Sequence, residues 1–482
     1  MNQAIRNTWA TAVAMFLVLL VAISVIQVVA ADTLKNNDFN SRQLYQEFGA
    51  PRGPILVDGT PIAESVESSD DFNYQRVYRD GRLYSGLTGF YSLTFGATGL
   101  EEKMNRHLAG TSDGQFIDRV VELFSGTPME GAQVELTIDP EMQQAAYDAL
   151  PAGVQASAVI SDPKTGRILA MVSRPSYDTN LLATHSGTQA RANMEDLQSV
   201  TGLSPYINRP TQTLAAPGST FKLIDTVAML ESGQYQPDQI LDLPNQIILP
   251  NSNTPLRNFE GGLCGRHGQQ TLEWIFAQSC NTPFAEAAME LGQDRIRTTA
   301  ENFGFNQSLE VPLSVSPSRF PEDLDDAALA QSSLGQRDVA ATALQMNMVA
   351  SAIANDGTLM RPQLIDTIRG ADLTTLEQPQ PEVYKNSTTP EVADQVTEMM
   401  KEVVRSGTAW QSRSDQVEIA AKTGTAQLGA GDSNVNSWIT GFAPADDPQV
   451  AVTLVYQNTD YEAGHTLTAT NMKRIMEAVV VQ

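Results

Sequence analysis

The chain is expected to be an α+β protein carried behind one N-terminal membrane anchor. Three observations predict this. Residues 9–31 contain no charged side chain. Beyond residue 155, strand-like runs gather at the two ends of the chain, and helical spacing fills the stretch between them.

The anchor comes first. Residues 9–31 begin at Trp9, end at Ala31 and are rich in Val, Leu, Ile and Ala. At about 1.5 Å per helical residue the run crosses a ~30 Å hydrocarbon core with slight tilt. Arg6 precedes it and Asp32 follows, which leaves residues 1–8 as a cytoplasmic tail. The rival reading is a signal peptide cleaved after Val28-Val29-Ala30. The apolar run is longer than the ~7–15 residues of a signal core, which favours an uncleaved anchor. Either way, the chain after residue 32 lies outside the cytoplasm.

Residues 32–154 mix short strands with turns such as Val57-Asp58-Gly59 and Arg79-Asp80-Gly81. One helix is predicted over 100–108, closed by Gly110. A strand over 134–138 runs into Asp139, placed to cap a helix over 140–150 that opens on Pro140. From residue 155 to 482 we expect a second domain. It opens with a hairpin, 154–160 and 167–172, around Asp162-Pro163-Lys164-Thr165-Gly166. Helices follow over 221–230, 272–277, 282–291 and 340–354, then strands over 417–421, 438–442 and 450–456, and a closing helix over 466–480.

Composition narrows the function. The formal net charge of −25 repels phosphate backbones, so nucleic acid is excluded as a partner. Two cysteines cannot form a four-thiolate zinc site, and His107, His185, His267 and His465 show no ligand spacing. No metal or other cofactor is expected.

Three hydrolase-like patterns remain. Gly110-Thr111-Ser112-Asp113-Gly114 matches a nucleophile elbow, but a helix precedes it where that motif needs a strand, so it reads as a surface turn. Ser-x-x-Lys occurs twice. Ser161-Asp162-Pro163-Lys164 falls in the hairpin turn. Ser219-Thr220-Phe221-Lys222 opens an apolar helix, whose spacing puts the lysine amine on the face of the serine hydroxyl. The helix N-terminus disfavours a protonated amine there, so Lys222 can lose its proton near neutral pH and activate Ser219. Ser279-Cys280-Asn281 and Lys422-Thr423-Gly424-Thr425 then complete an ordered Ser-x-x-Lys, Ser-x-Asn, Lys-Thr-Gly set. That trio is shared by class A β-lactamases and penicillin-binding proteins.

With these residues in place, the sequence resembles a class B penicillin-binding protein of the actinobacterial penicillin-binding protein A type. Arg52-Gly53, Leu136-Thr137-Ile138-Asp139 with Gln143, Asn208-Arg209, Ser333-Leu334-Gly335-Gln336, Ala354-Asn355-Asp356-Gly357 and Gly441-Phe442-Ala443-Pro444 also look like family segments. The resemblance implies an elongated, mostly-β, non-catalytic pedestal domain over 32–154. It implies a serine D,D-transpeptidase domain of penicillin-binding/β-lactamase type over 155–482, with an antiparallel sheet flanked by helices. It implies a single-pass cell-membrane protein that cross-links peptidoglycan. The partners are a D-Ala-D-Ala stem-peptide donor, an amine acceptor, β-lactams as inhibitors and a polytopic glycan-chain polymerase. In these terms Ser219 is the nucleophile and Lys222 its base. Ser279 and Asn281 relay the proton and orient the substrate amide. Lys422, Thr423, Gly424 and Thr425 hold its carboxylate, and the backbone N–H groups of Ser219 and Thr425 form the oxyanion hole.

Rival functions on the same residues are a β-lactamase, a D,D-carboxypeptidase and a non-catalytic scaffold. No Glu-x-x-Leu-Asn segment follows Asn281 to supply a deacylating base, and an intact trio argues against a scaffold. Finally, Cys264 and Cys280 are the only cysteines and lie in a thiol-poor compartment, so a disulfide is expected, helped by the flexible Gly261-Gly262 loop.

Overall fold

The computed structural model describes residues 3–29, 48, 50–115, 130–251, 253, 255–259, 263–429 and 434–480. Residues 30–31 of the anchor, the Gly261-Gly262 loop and the start of the second segment therefore lie outside the described residues.

A helix over Gln3–Ser24 with a further turn over Val25–Val29 covers most of the apolar run read as an anchor, and none of its described side chains is buried. It begins six residues before the apolar run, because the polar residues ahead of Trp9 also favour helix. An apolar helix of this length with no protein packed around it is long enough to cross a bilayer.

The site is carried by a five-stranded antiparallel sheet. Its strand order is Ala420–Gln427, Asn434–Ala443, Val450–Asp460, Gln155–Ser161, Ile168–Arg174. The first and last stretches of the catalytic region thus lie side by side, as strands grouped at both ends of the sequence require. Helix Tyr461–Val480 packs against the central strands, and so does helix Ala343–Ala354. The latter is buried at every position, and its polar residues are paired there: Gln345 donates to the Phe303 carbonyl, Asn347 to the Val159 and Ala451 carbonyls, and the Ser351 hydroxyl meets that of Ser161. It starts at Ala343 and not at residue 340, because the Thr342 side chain caps it by accepting from the Gln345 N–H. Asp139 likewise caps helix Pro140–Ala149, accepting from the Glu141 and Met142 N–H groups at 2.9 Å.

A second sheet has six strands in the order Thr375–Glu377, Ile365–Arg369, Gln133–Leu136, Ile55–Val57, Thr60–Glu67, Tyr74–Tyr78. Its first two strands come from deep within the C-terminal half, a pairing that nothing in the local sequence pattern announces. Ile55–Val57 runs parallel to Gln133–Leu136, and the other pairs are antiparallel. Beside this sheet the buried Glu101 carboxylate accepts from Arg52 at 2.9 Å, Arg76 at 2.6 Å and the Tyr78 hydroxyl at 3.2 Å. Its acceptor sites are filled, the condition under which a buried charge is tolerated. Gln143 ties this region to the catalytic sheet, donating to the Leu83 and Met171 carbonyls and accepting from the Met171 N–H.

Other elements also differ from their sequence-based bounds. The helix over 100–108 is two short helices, Gly99–Lys103 and Asn105–Leu108, broken at Met104. The helix at Ser219 starts with a 3-10 turn, and the last helix begins at Tyr461. The strand expected to end at residue 421 begins at Ala420 and runs through the whole Lys-Thr-Gly segment, because it pairs with Asn434–Ala443 along its full length.

Candidate active site

Ser219 sits on the 3-10 turn Gly218–Phe221, which opens directly into helix Lys222–Glu231. The turn is pressed against the edge strand. A Cβ at Gly218, whose φ is 54°, would lie 2.4 Å from the Thr425 carbonyl oxygen, and one at Gly424 would lie 2.6 Å from that of Pro217. Only glycine fits either place. Gly218 also donates to the Gly335 carbonyl at 2.9 Å, and Gln336 to that of Thr425 at 3.3 Å. The Trp438 indole donates to the Ala216 carbonyl at 3.0 Å. The Ser219 turn and the Thr425 peptide are thereby fixed side by side.

Lys222 is fully buried. Its amine donates to the Ser279 carbonyl at 2.7 Å, the Cys280 carbonyl at 2.8 Å and the Asn281 Oδ1 at 2.9 Å. Three acceptors suit an ammonium. Burial nevertheless pushes its proton affinity well below the usual lysine value, and the charge of Lys422 adds to this while Asp225 opposes it. Asp225, one turn further along the helix, is also buried, and neither of its carboxyl oxygens has a hydrogen-bond partner among the described residues. Burial raises its pKa well above the carboxylate range.

Ser279 occupies a turn between helices Leu272–Ala277 and Thr282–Leu291, with φ at 58° in the left-handed region. A non-glycine residue is held there at a cost of about 1–3 kcal/mol only when its surroundings fix it. They do. Asn258 accepts from the Asn281 N–H at 2.7 Å and the Thr282 N–H at 3.1 Å, and Asn281 donates to the Arg257 carbonyl at 3.1 Å. Cys264 and Cys280 form a disulfide, their Cα atoms 5.7 Å apart.

Lys422 is fully buried on the opposite wall and donates to the Ser279 hydroxyl at 2.9 Å. Burial lowers its pKa from the usual 10.5 to about 7. Thr423 is nearly buried, and Thr425 is half-buried. The fold thus brings the three sequence-predicted segments around one cleft. Of the residues that hold the cleft in shape, Gly335 falls in the Ser333-Leu334-Gly335-Gln336 segment, whereas Asn258 and Trp438 belong to no motif and carry no sequence signal of their own.

The other two serine patterns stand elsewhere. Ser161 is buried and bonds to Asn347 at 2.6 Å, whereas Lys164 pairs with Asp447 on the surface. Ser112 is buried and not on a surface turn, because its hydroxyl donates to Gln115 at 2.7 Å in the next turn.

Comparison with known proteins bears on the same residues. The family described as penicillin binding protein transpeptidase domain matches residues 156–477. The chain belongs to the penicillin-binding protein transpeptidase family. Ser219, Ser279 and Lys422 all fall within the matched region of this penicillin-binding protein. A second family, described as penicillin binding protein A dimerisation domain, matches residues 52–134 and includes Arg52 and Glu101. The chain is 39% identical to the peptidoglycan D,D-transpeptidase PbpA of Mycolicibacterium smegmatis, over 98% of this chain and 96% of that one. It is 36% identical to the PbpA of Mycobacterium tuberculosis, over 95% and 94%. Among solved structures, it superposes on the ceftriaxone acyl-enzyme complex of M. tuberculosis penicillin-binding protein A with a TM-score of 0.86 and 34% identity. That match covers 90% of this chain and 100% of that one. The penicillin G acyl-enzyme complex of the same protein gives 0.84 and 35%, with the same coverage.

Proposed function

We propose that this penicillin-binding protein is a peptidoglycan D,D-transpeptidase, a serine acyltransferase that joins stem peptides and releases D-Ala. The observation that carries the reading is the convergence of Lys222 and Lys422 on Ser279, beside a serine mounted on a glycine-lined turn.

In this reading Ser219 passes its hydroxyl proton to Lys222 as its oxygen bonds to the carbonyl carbon between the two terminal D-Ala residues. Burial loosens the proton of Lys222 and so favours the free amine that can take the Ser219 proton. The N–H groups of Ser219 and Thr425 receive the developing oxyanion, each such donor being worth about 10²–10³ in rate. The carbon–nitrogen bond then breaks as Ser279 gives its hydroxyl proton to the leaving D-Ala amine. Ser279 takes in its place the proton that Lys222 received from Ser219, which returns Lys222 to the free amine. Asn281 orients the substrate amide. Lys422, Thr423 and Thr425 hold the carboxylate, a cationic pocket on an acidic protein. An amine from a second stem peptide attacks the acyl-enzyme, the ester bond breaks, and Ser219 regains its proton. A β-lactam meets the same serine and leaves a stable acyl-enzyme. In this reading the N-terminal helix is a single-pass anchor in the cell membrane, with residues 32–482 outside. Residues 32–154 serve as the pedestal, and the chain works beside a polytopic glycan-chain polymerase.

The test is covalent labelling by a fluorescent penicillin of the full chain and of Ser219→Ala, followed by product analysis with a stem-peptide donor and an amine acceptor. Labelling lost in the variant, with a cross-linked product from the parent, supports the reading. Labelling that survives in the variant, or a product set containing only hydrolysed donor, overturns it.

A further inference from the structure

We propose that Thr408 is a positioning residue for the substrate carboxylate, acting through the Thr423 hydroxyl. The inference rests on the reading above, in which Thr423 receives that carboxylate.

Thr408 lies just beyond helix Pro390–Arg405, and this turn is fastened to the wall that carries Ser279. The Thr408 N–H donates to the Ala277 carbonyl at 3.1 Å, and the Gln278 side chain donates to the Ser406 carbonyl at 3.1 Å. A Cβ at Gly407 would lie 2.2 Å from the Ala277 carbonyl oxygen, so the turn is in backbone contact with the end of helix Leu272–Ala277. From there the Thr408 hydroxyl reaches across to the other wall, 2.5 Å from that of Thr423. Lys422 and Thr408 therefore bind the two walls together at adjacent positions of one strand, the first through Ser279 and the second through Thr423.

Proton counting gives the contact its direction. Each hydroxyl has one proton to donate and can accept two. A carboxylate only accepts. Thr423 can offer it a proton only if the contact between the two threonines uses the proton of Thr408. The binding-competent arrangement is then Thr408 donating to Thr423, and Thr423 to the carboxylate. Successive hydrogen bonds of this kind polarise one another. Without Thr408, the Thr423 proton is free to turn elsewhere.

The experiment uses the full chain in detergent and two acyl donors that differ only in ending with a carboxylate or a carboxamide. The dissociation constant before acylation is measured for Thr408→Val, Thr408→Ser, Thr423→Val and the double valine variant. For the carboxylate donor, Thr408→Val should weaken binding about three- to tenfold, as loss of one hydrogen bond does. Thr408→Ser should restore it, the carboxamide donor should be unaffected, and the double variant should be no worse than Thr423→Val alone. Equal losses for both donors, or additive losses in the double variant, overturn the role of Thr408. If Thr423→Val alone treats the two donors alike, the carboxylate reading of Thr423 falls and this inference falls with it. If Thr408→Val fails to fold, Thr408→Ala, which also lacks the hydroxyl, takes its place in the same comparison of the two donors, with Thr408→Ser as the control.

Discussion

Lys222 and Lys422 hold the two ends of one residue. The first donates to the Ser279 carbonyl at 2.7 Å and the second to the Ser279 hydroxyl at 2.9 Å. Two buried ammonium groups on one serine oppose each other's charge, and burial lowers the proton affinity of both. Both lysines therefore hold their protons less tightly than an exposed lysine does, and Lys422 titrates at about 7.

Lys222→Ala should slow penicillin acylation by about 10²–10⁴, the usual contribution of a general base. It should also lower thermal stability, because three acceptors lose their donor in a buried place. Stopped-flow acylation on folded protein is the measurement. A near-normal rate would show that another group takes the Ser219 proton.

Lys422 is charged below about pH 7 and neutral above it. Affinity for a carboxylate-bearing donor should therefore fall as pH rises through 7, while a carboxamide donor shows no such limb. Lys422→Ala should weaken the carboxylate donor at pH 6 and have little further effect at pH 9. Binding titrations at those two pH values decide it.

Asp225 gives a stability prediction of definite sign. Its pKa is raised in the folded state above the unfolded value of about 3.8, so the native chain holds this proton to higher pH than the unfolded chain does. Stability is lost as pH climbs from about 4 towards the folded pKa, and the whole cost is present above it. Asp225→Asn removes that cost. Its gain in melting temperature should be larger at pH 8 than at pH 4, and a gain independent of pH would falsify the assignment.

The Cys264–Cys280 link closes a loop of sequence separation 16, for which the chain-entropy account gives about 3 kcal/mol. Because Lys222 bonds to the Cys280 carbonyl itself, reduction should slow acylation before it unfolds the domain. Acylation rate and melting curve, followed together with and without reductant, test this. Unfolding that runs in step with the loss of rate would reduce the bridge to a staple.

Much of the site was legible because its chemistry is carried by residues close in sequence. Ser219 and Lys222 are one helical turn apart, and Ser279 and Asn281 share one turn of chain. Asp139 shows its capping role in the same local way. Thr408 was not legible, because its partner Thr423 is supplied by a different element and the threonine itself follows a helix end of ordinary composition. Ser279 gave no hint of its left-handed backbone, since the bonds that impose it come from Asn258 and Lys222. Strand Ile365–Arg369 is equally silent about its neighbour Gln133–Leu136, as pairing across such a distance leaves no mark on either segment.

That pairing also sets an order of events while the chain is made. Gln133–Leu136 emerges from synthesis more than two hundred positions before the strand that covers its free edge. At about 5–20 residues per second, the edge stands open for on the order of ten seconds or more. An unpaired edge is a template for mispairing with another chain. The nascent protein therefore passes through an interval in which its first sheet is half-built and adhesive, and the arrival of residues 365–377 ends it.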